Sequence, residues 1–201
     1  MNVRQAGALQ RLRTMISSVV LAAGHVGEQD SFAHVHNKPV LQWVLESALD
    51  SDLDEIICVT RDLANVRREI RVSNKRLCWM VNPAADRGQS SSVITGLWGS
   101  HPESAGVMFL AGDRMPVDKE LINSLIRRFE QTGAWIVAPD SGGQAGSPVL
   151  FRRDLFPELL KLKGNETERT LLTRHAAQIV LVESREAFLL LGGSANQGRH
   201  P

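Results

Sequence analysis

The sequence predicts an α/β domain built on a doubly wound, mostly parallel sheet. Short apolar runs alternate with stretches of helical spacing from Met15 to Ala138. The run Val107–Leu110 is continuously apolar, as a strand buried on both faces should be. The first run, Val19-Val20-Leu21-Ala22-Ala23-Gly24, ends on two alanines and a glycine before polar, helix-poor sequence. A buried parallel strand delivers its backbone to a ligand in this way. Ala22 and Ala23 leave little side chain in between, and Gly24 permits φ > 0. In open α/β sheets such strand-to-loop switches at the carboxyl edge are where nucleotides sit.

The elements follow in order. Met15–Ala22 is the first strand. Pro39–Leu49 is a helix, with Pro39 suited to its first turn and Val40, Val44, Leu45 and Ala48 at helical spacing. Glu55–Thr60 is a strand, Leu63–Val72 a charged surface helix and Arg76–Val81 the third strand. Asn82–Gly88 is a loop leading into a helix over Ser90–Trp98. Ala105–Ala111 is the fourth strand, Leu121–Thr132 a helix and Ala134–Ala138 the fifth strand. After Pro139 the rhythm changes. Asp140–Ser147 is a glycine-rich turn, Val149–Phe151 a short strand, and Leu155–Leu162 and Glu168–His175 short helices. Gln178–Val182 is a strand and Arg185–Leu190 a terminal helix. The break implies a mixed, partly antiparallel extension of the sheet.

A chain of 201 residues fits one domain of substantial core, expected over 15–190 between an N-terminal extension (1–14) and a flexible Gly/Ser/Asn/Gln-rich tail (191–201). A composition of 43% hydrophobic and 22% charged residues suits a globular domain. A net charge of +1 gives no drive toward nucleic acid or membrane, so neither is expected as a partner. Cys58 and Cys78 lie in apolar runs and are expected to be buried. Without a disulfide framework they suit a reducing cytoplasm. His34 and His36 alternate in a short extended segment and would face one side, with no third ligand for a transition metal.

Several positions carry chemistry. Asp113 follows an apolar strand and Gly112, where a parallel strand would expose a carboxylate at the sheet edge, although a turn aspartate before Met115-Pro116 reads the same. The run Ser90-Ser91-Ser92 after Gly88 offers hydroxyls and N–H groups at a helix start, for an N-cap or for a ligand. In chain order the patches are Leu21-Ala22-Ala23-Gly24; Asn82-Pro83 with Gly88 to Ser92; Leu110 to Pro116; and Gly146-Ser147-Pro148 with Gly164–Leu172 and Glu183.

Together these resemble the nucleotidyltransferase family of molybdenum cofactor cytidylyltransferases and guanylyltransferases, the MobA-like NTP transferases. The resemblance covers roughly Met15 to Phe188 through the order of motifs on the alternating pattern. It implies a three-layer α/β nucleotide-binding domain with a mixed, mostly parallel sheet of about seven strands, like nucleotide-diphospho-sugar transferases. It implies transfer of CMP from CTP, favoured over GTP by Ala22-Ala23, to a phosphorylated acceptor such as molybdopterin, with a molybdoenzyme as a further partner. Leu21, Ala22, Ala23, Gly24, His25, Asn82, Gly88, Ser90, Ser91, Gly112 and Asp113 would bind nucleotide. Gly146, Ser147, Pro148 and Arg169 would face the acceptor. Mg²⁺ would sit on Asp113 and Glu183, where the family's second metal aspartate stands; Glu183 reads equally as a helix-start glutamate.

The loop His25-Val26-Gly27-Glu28-Gln29-Asp30-Ser31-Phe32 departs from this pattern. The resemblance implies an arginine and then a lysine gripping the triphosphate, and here Asp30 stands about where the lysine belongs. Two acids beside a triphosphate cost affinity. Lys38, beside this loop, joins Asp113 as the candidate catalytic pair. Impaired turnover is therefore expected. The alternatives are a catalytically inactive nucleotide- or cofactor-binding partner in molybdoenzyme maturation, and a transferase for another phosphorylated acceptor.

Overall fold

The computed structural model describes residues 14–23, 32–114 and 117–183. The strands are β1 (Ile16–Ala22), β2 (His34–Val35), β3 (Lys38–Pro39), β4 (Glu55–Thr60), β5 (Leu77–Val81), β6 (Gly106–Ala111), β7 (Ile136–Pro139), β8 (Val149–Arg152) and β9 (Ile179–Val182). The helices are α1 (Val40–Asp50), α2 (Leu63–Glu69), α3 (Gln89–Gly99), α4 (Lys119–Thr132), α5 (Phe156–Leu159) and α6 (Arg169–Arg174). Seven strands form one sheet in the order β5-β4-β1-β6-β8-β7-β9, and β2 and β3 form a separate hairpin. β1 runs parallel to β4 and β6, with Leu21 level with Val59 on one side and Ala111 on the other. β8 is antiparallel to both β6 and β7, and β9 is parallel to β7. The expected α/β class and the mixed extension after Pro139 are both present.

Strand periodicity divides the core into two layers. Val20, Ile56, Cys58, Met108 and Leu110 face one way, against α1, α4 and Val66 of α2. Val19, Ile57, Val59, Val107 and Phe109 face the other, against Val93 and Leu97 of α3 and Leu155, Leu159, Leu171 and Leu172. Parallel strands covered on both faces must be apolar at every position, which is why these runs do not alternate with polar residues. Ser17 and Ser18 are the exceptions in β1. Both are fully buried, and both hydroxyls are satisfied: Ser17 donates to Glu55 and Ser18 to the Glu55 carbonyl at 3.1 Å. Phe109 and Phe151 meet edge-to-face at 5.9 Å between centroids, an arrangement worth about 0.5–1.5 kcal/mol beyond area burial.

The helix ends follow local chemistry. The Asp62 carboxylate accepts from Asn65 N–H at 3.0 Å, and Asp118 accepts from Leu121 N–H at 2.7 Å, capping α2 and α4. Gly133 ends α4 in the left-handed conformation with φ 60°. Four expectations need correction. α2 stops at Glu69 and not at Val72, because Ile70 turns extended (φ −99°, ψ 120°) and buries its side chain. The segment Leu155–Leu162 is helical only over Phe156–Leu159, after a 3-10 turn at Arg153–Leu155. Cys58 is buried, and its thiol is pushed far up by that burial, but Cys78 is exposed on the edge strand β5. His34 and His36 do not share one extended face: His36 and Asn37 hold φ of 51° and 64° in the turn of the β2–β3 hairpin. The expected terminal helix Arg185–Leu190 and the tail lie outside the described residues, as does all but Thr14 of the N-terminal extension. Among the described residues no helix is long and apolar enough to cross a membrane.

Gly96 lets α3 lie directly on β1. A Cβ there would stand 2.2 Å from Cγ1 of Val19, a side chain with no exposure and one stiff torsion. Gly96→Ala is expected to lower unfolding free energy by about 1–3 kcal/mol, the usual cost of overpacking a closed core. Urea unfolding checks this, and an unchanged midpoint would show that α3 can lift from the sheet without loss.

Candidate functional site

The chain leaves β1 for one side of the sheet, at β4, and later returns to its other side at β6. The carboxyl ends of β1 and β6 therefore flank a topological switch point, where the divergence of the connecting loops opens a crevice. A cavity of about 560 Å³ lies there, within the range of ligand pockets. Leu21, Ala22 and Ala23 supply one wall from the end of β1, and Ala111, Asp113 and Arg114 supply another from the end of β6. Gly112 closes the seam between them. Its N–H donates to the Leu21 carbonyl at 3.0 Å, and a Cβ would stand 2.9 Å from that same oxygen. The close approach needs glycine, and Gly112 itself stays behind the wall.

The Asp113 side chain is 31% exposed, and the Nε of Arg114 lies 3.9 Å from its Oδ1. A carboxylate at a strand end, partly open to a pocket and bordered by a cation, suits a hard divalent ion shared with phosphate oxygens. The donor set is small, for among the described residues no three His, Cys, Asp or Glu side chains gather as a metal cluster. Mg²⁺ and like ions take one or two carboxylates and leave their other positions to substrate and water. Asp113 fits such an ion. Glu183 is not among the residues lining the cavity: it follows β9, the edge strand, with β7 and β8 between it and β6.

The third wall comes from the start of α3. Gly88 holds φ 113°, and its missing Cβ would stand 2.2 Å from the Gly164 carbonyl oxygen. That carbonyl also accepts the Ser90 N–H at 3.1 Å, so the 164–169 segment rests on the first turn of α3. Asn82 donates to the hydroxyls of Ser91 and Ser92 at 2.8 and 3.0 Å, while Ser91 donates to the Gly88 carbonyl at 2.8 Å. Asn82, Ser90 and Ser91 thus brace the turn, and Gln89 and Ser92 reach the cavity in their place. The sequence pointed to the serine run, and helical phase decides which of its members faces inward.

The fourth wall is formed by Ser147, Asn165, Thr167, Glu168 and Arg169. Arg169 donates to the Ala145 carbonyl at 3.2 Å, joining this segment to the glycine-rich turn. Gly146 N–H donates to the Pro139 carbonyl at 2.8 Å, and Pro148 is buried, so these two support Ser147 from behind. Glu168, Arg114 and Gln89 lie inside the patches singled out in the sequence but were given no role there, and Asp86 lies outside them. For Arg114 a signal existed in its position directly after Asp113. Asp86 is paired with Arg61 at 2.7 Å. Burial pushes the Glu168 carboxyl up, and its own backbone N–H, then Arg169 and Arg114, draw it partly back.

Lys38 is not brought to this cavity. Its Nζ lies 2.5 Å from Glu46 Oε2 and 3.7 Å from the centroid of the Trp43 ring, so the ammonium is held on the hairpin side of α1. Desolvation raises the Glu46 pKa, and hydrogen bonds from Lys38 and Gln42 more than offset this, leaving it net lowered. The ion pair is thus well formed. Gly24, His25 and the acidic loop through Asp30 lie outside the described residues.

Residues 18–179 match the family described as the MobA-like NTP transferase domain. No curated protein sequence matches the chain. Among solved structures, Rv0371c from Mycobacterium tuberculosis H37Rv superposes with a TM-score of 0.69 at 23% identity, over 89% of this chain and 98% of that one. The same protein in complex with manganese gives 0.66 at 22% identity, over 89% and 97%. The 4-diphosphocytidyl-2C-methyl-D-erythritol synthase of Anaerococcus prevotii DSM 20548 gives 0.69 at 19% identity, over 87% and 88%. At these identities the likeness to the solved structures is one of fold.

Gly88→Ala tests the junction between the third and fourth walls. It adds both a disfavoured positive φ and a backbone clash, and is expected to lower unfolding free energy by about 1–3 kcal/mol. Limited trypsin digestion should also cut faster at Lys163 and Arg169, since the carbonyl of Gly164 must move away. A digest identical to that of the unaltered protein would contradict this packing.

Proposed function

Because the chain belongs to the MobA-like NTP transferase family, we propose that it transfers CMP from CTP to a molybdopterin-type phosphorylated acceptor in the cavity between β1 and β6. The observation that carries the reading is the place of Asp113: at the switch point, on the same cavity as the bare backbone of Ala22 and Ala23. Small residues there let a planar base approach the main chain, whose N–H and C=O groups can read its edge. Gln89 and Ser92 add side-chain donors and acceptors on the opposing wall. Ala22-Ala23 supports cytosine over guanine through the family resemblance.

In the reaction an oxygen of the acceptor phosphate attacks the α-phosphorus of CTP in line, forming a new P–O–P bond as the bond to the β-phosphate breaks. The electron pair leaves with pyrophosphate. Asp113 is the residue that would hold a divalent ion. Such an ion, when bound, supplies charge neutralisation for the triphosphate and its leaving group. Ser147 and Arg169 orient the acceptor from the fourth wall, and the Ala22–Ala23 backbone orients the base, so attack is favoured by position. The manganese bound in the Rv0371c complex supports a divalent ion for this fold, with Mg²⁺ as our assignment. The synthase from Anaerococcus prevotii supports cytidylyl transfer to a different phosphorylated acceptor as the second reading. The lack of cations in the Gly24–Phe32 loop supports slow turnover, and a molybdoenzyme in a reducing cytoplasm is the recipient we propose.

Pyrophosphate release from CTP or GTP, with Mg²⁺ and molybdopterin, is the decisive measurement. CTP should be consumed faster than GTP, and chelation of the ion should stop both. Equal rates would remove the cytidylyl assignment. Nucleotide binding without pyrophosphate release would leave a binding protein. Asp113→Asn should abolish Mg²⁺-dependent CTP binding with little change in melting temperature, whereas a large stability loss would mark the carboxylate as structural.

A further inference from the structure

The triphosphate and acceptor carry several negative charges, and the phosphate loop offers acids where cations are needed. Among the described lining residues, Arg114 and Arg169 are the two basic side chains. Arg114 is 75% exposed and lies at 3.9 Å from Asp113, a loose contact that leaves its planar fork able to turn into the cavity. Arg169 spends one donor on the Ala145 carbonyl, and a guanidinium has five. Glu168 lies on the same wall with a buried carboxylate oxygen, Oε2, that accepts no hydrogen bond. Its own backbone N–H is the donor that reaches the carboxyl group, and the remaining compensation for burial comes from neighbouring cations. Arg169 and Arg114 are the cations acting on it.

We propose that Arg114 and Arg169 are the phosphate-gripping cations of this cavity, with Glu168 as the counter-ion they share. The assignment rests on the nucleotidyl-transfer reading for the identity of the anion, and on the cavity walls for the residues. It moves the cationic work from the loop after β1 to the end of β6 and the segment before α6. Arg114, directly after Asp113, serves the triphosphate. Arg169, beside Ser147, serves the phosphate of the acceptor. Guanidinium forks suit both, because each can engage two phosphate oxygens at once.

Calorimetric titration of the full chain tests this with tripolyphosphate, a base-free stand-in for the donor, and with inorganic phosphate added to CTP-saturated protein, a stand-in for the acceptor. Arg114→Gln is expected to weaken tripolyphosphate binding by about tenfold or more, the loss of one charge-assisted contact. Arg169→Gln is expected to weaken phosphate binding in the CTP-saturated protein; if it weakens tripolyphosphate instead, the clamp stands and both cations serve the donor. Glu168→Gln should tighten metal-free tripolyphosphate binding by about threefold or more, because a like charge has been removed. A loss confined to titrations with Mg²⁺ would make Glu168 a metal ligand and overturn its counter-ion role. Wild-type affinities in both arginine variants, at unchanged melting temperatures, would overturn the clamp while leaving nucleotide binding intact. Wild-type protein that takes tripolyphosphate but neither CTP nor GTP would bring down the functional reading and leave the clamp standing.

Discussion

Everything at the site depends on how closely β1 and β6 lie side by side at their carboxyl ends. The hydrogen bond from Gly112 N–H to the Leu21 carbonyl continues the parallel ladder one residue beyond Ala111. That extra rung brings Asp113 beside the Ala22–Ala23 backbone before the chain diverges. A side chain at position 112 would press on the Leu21 oxygen and on Ala22 Cβ, 3.1 Å away, and push the two walls apart. The same economy of atoms recurs at Gly88 and Gly96. Three glycines thus set the distances among β1, β6, α3 and the 164–169 segment, and the polar residues take positions that backbone contact has already fixed.

Charge is distributed with similar constraint. The cavity carries Asp86, Asp113 and Glu168 against Arg114 and Arg169, and Asp86 is engaged by Arg61. Near-neutral walls suit a site that must admit a polyanion together with its divalent counter-ion, since a strongly basic pocket would hold the triphosphate without the metal. Lys38, tied to Glu46 and Trp43, strengthens the hairpin–helix junction and takes no part in this balance.

The fold was legible because burial on both faces leaves an unmistakable pattern. Val19, Val20, Ile57, Cys58 and Val107 to Leu110 are apolar at consecutive positions, and no surface strand needs that. The Ala22-Ala23 terminus and the Gly112-Asp113 step likewise marked the two strand ends that flank the cavity. Helical phase was less legible. A run of three serines does not reveal that Ser92 faces the cavity while Ser90 and Ser91 brace the turn behind it. Long-range packing was not legible at all. The patch Gly164–Leu172 stood out through Gly164 and Arg169, but Glu168 within it is not seen as a wall residue until the 164–169 segment is found resting on α3, about seventy-five residues earlier in the chain. Cys78 misled because β5 is an edge strand, half of whose face meets solvent, and one strand's composition does not reveal its place in the sheet.

The insertion of β8 between β6 and β7 has a consequence for the order in which the chain can assemble. β4, β5, β1 and β6 belong to the first 111 residues and can pair among themselves as the chain emerges. β6 then has an open edge of unpaired amides along a fully apolar strand, the kind of surface that invites pairing with another chain. It stays open until Val149–Arg152 has been made and has slotted in antiparallel, since β7, although earlier in sequence, docks on β8 and not on β6. Nascent chains stalled between these points would be the most adhesive form of the protein, and that interval is where a chaperone has most to shield.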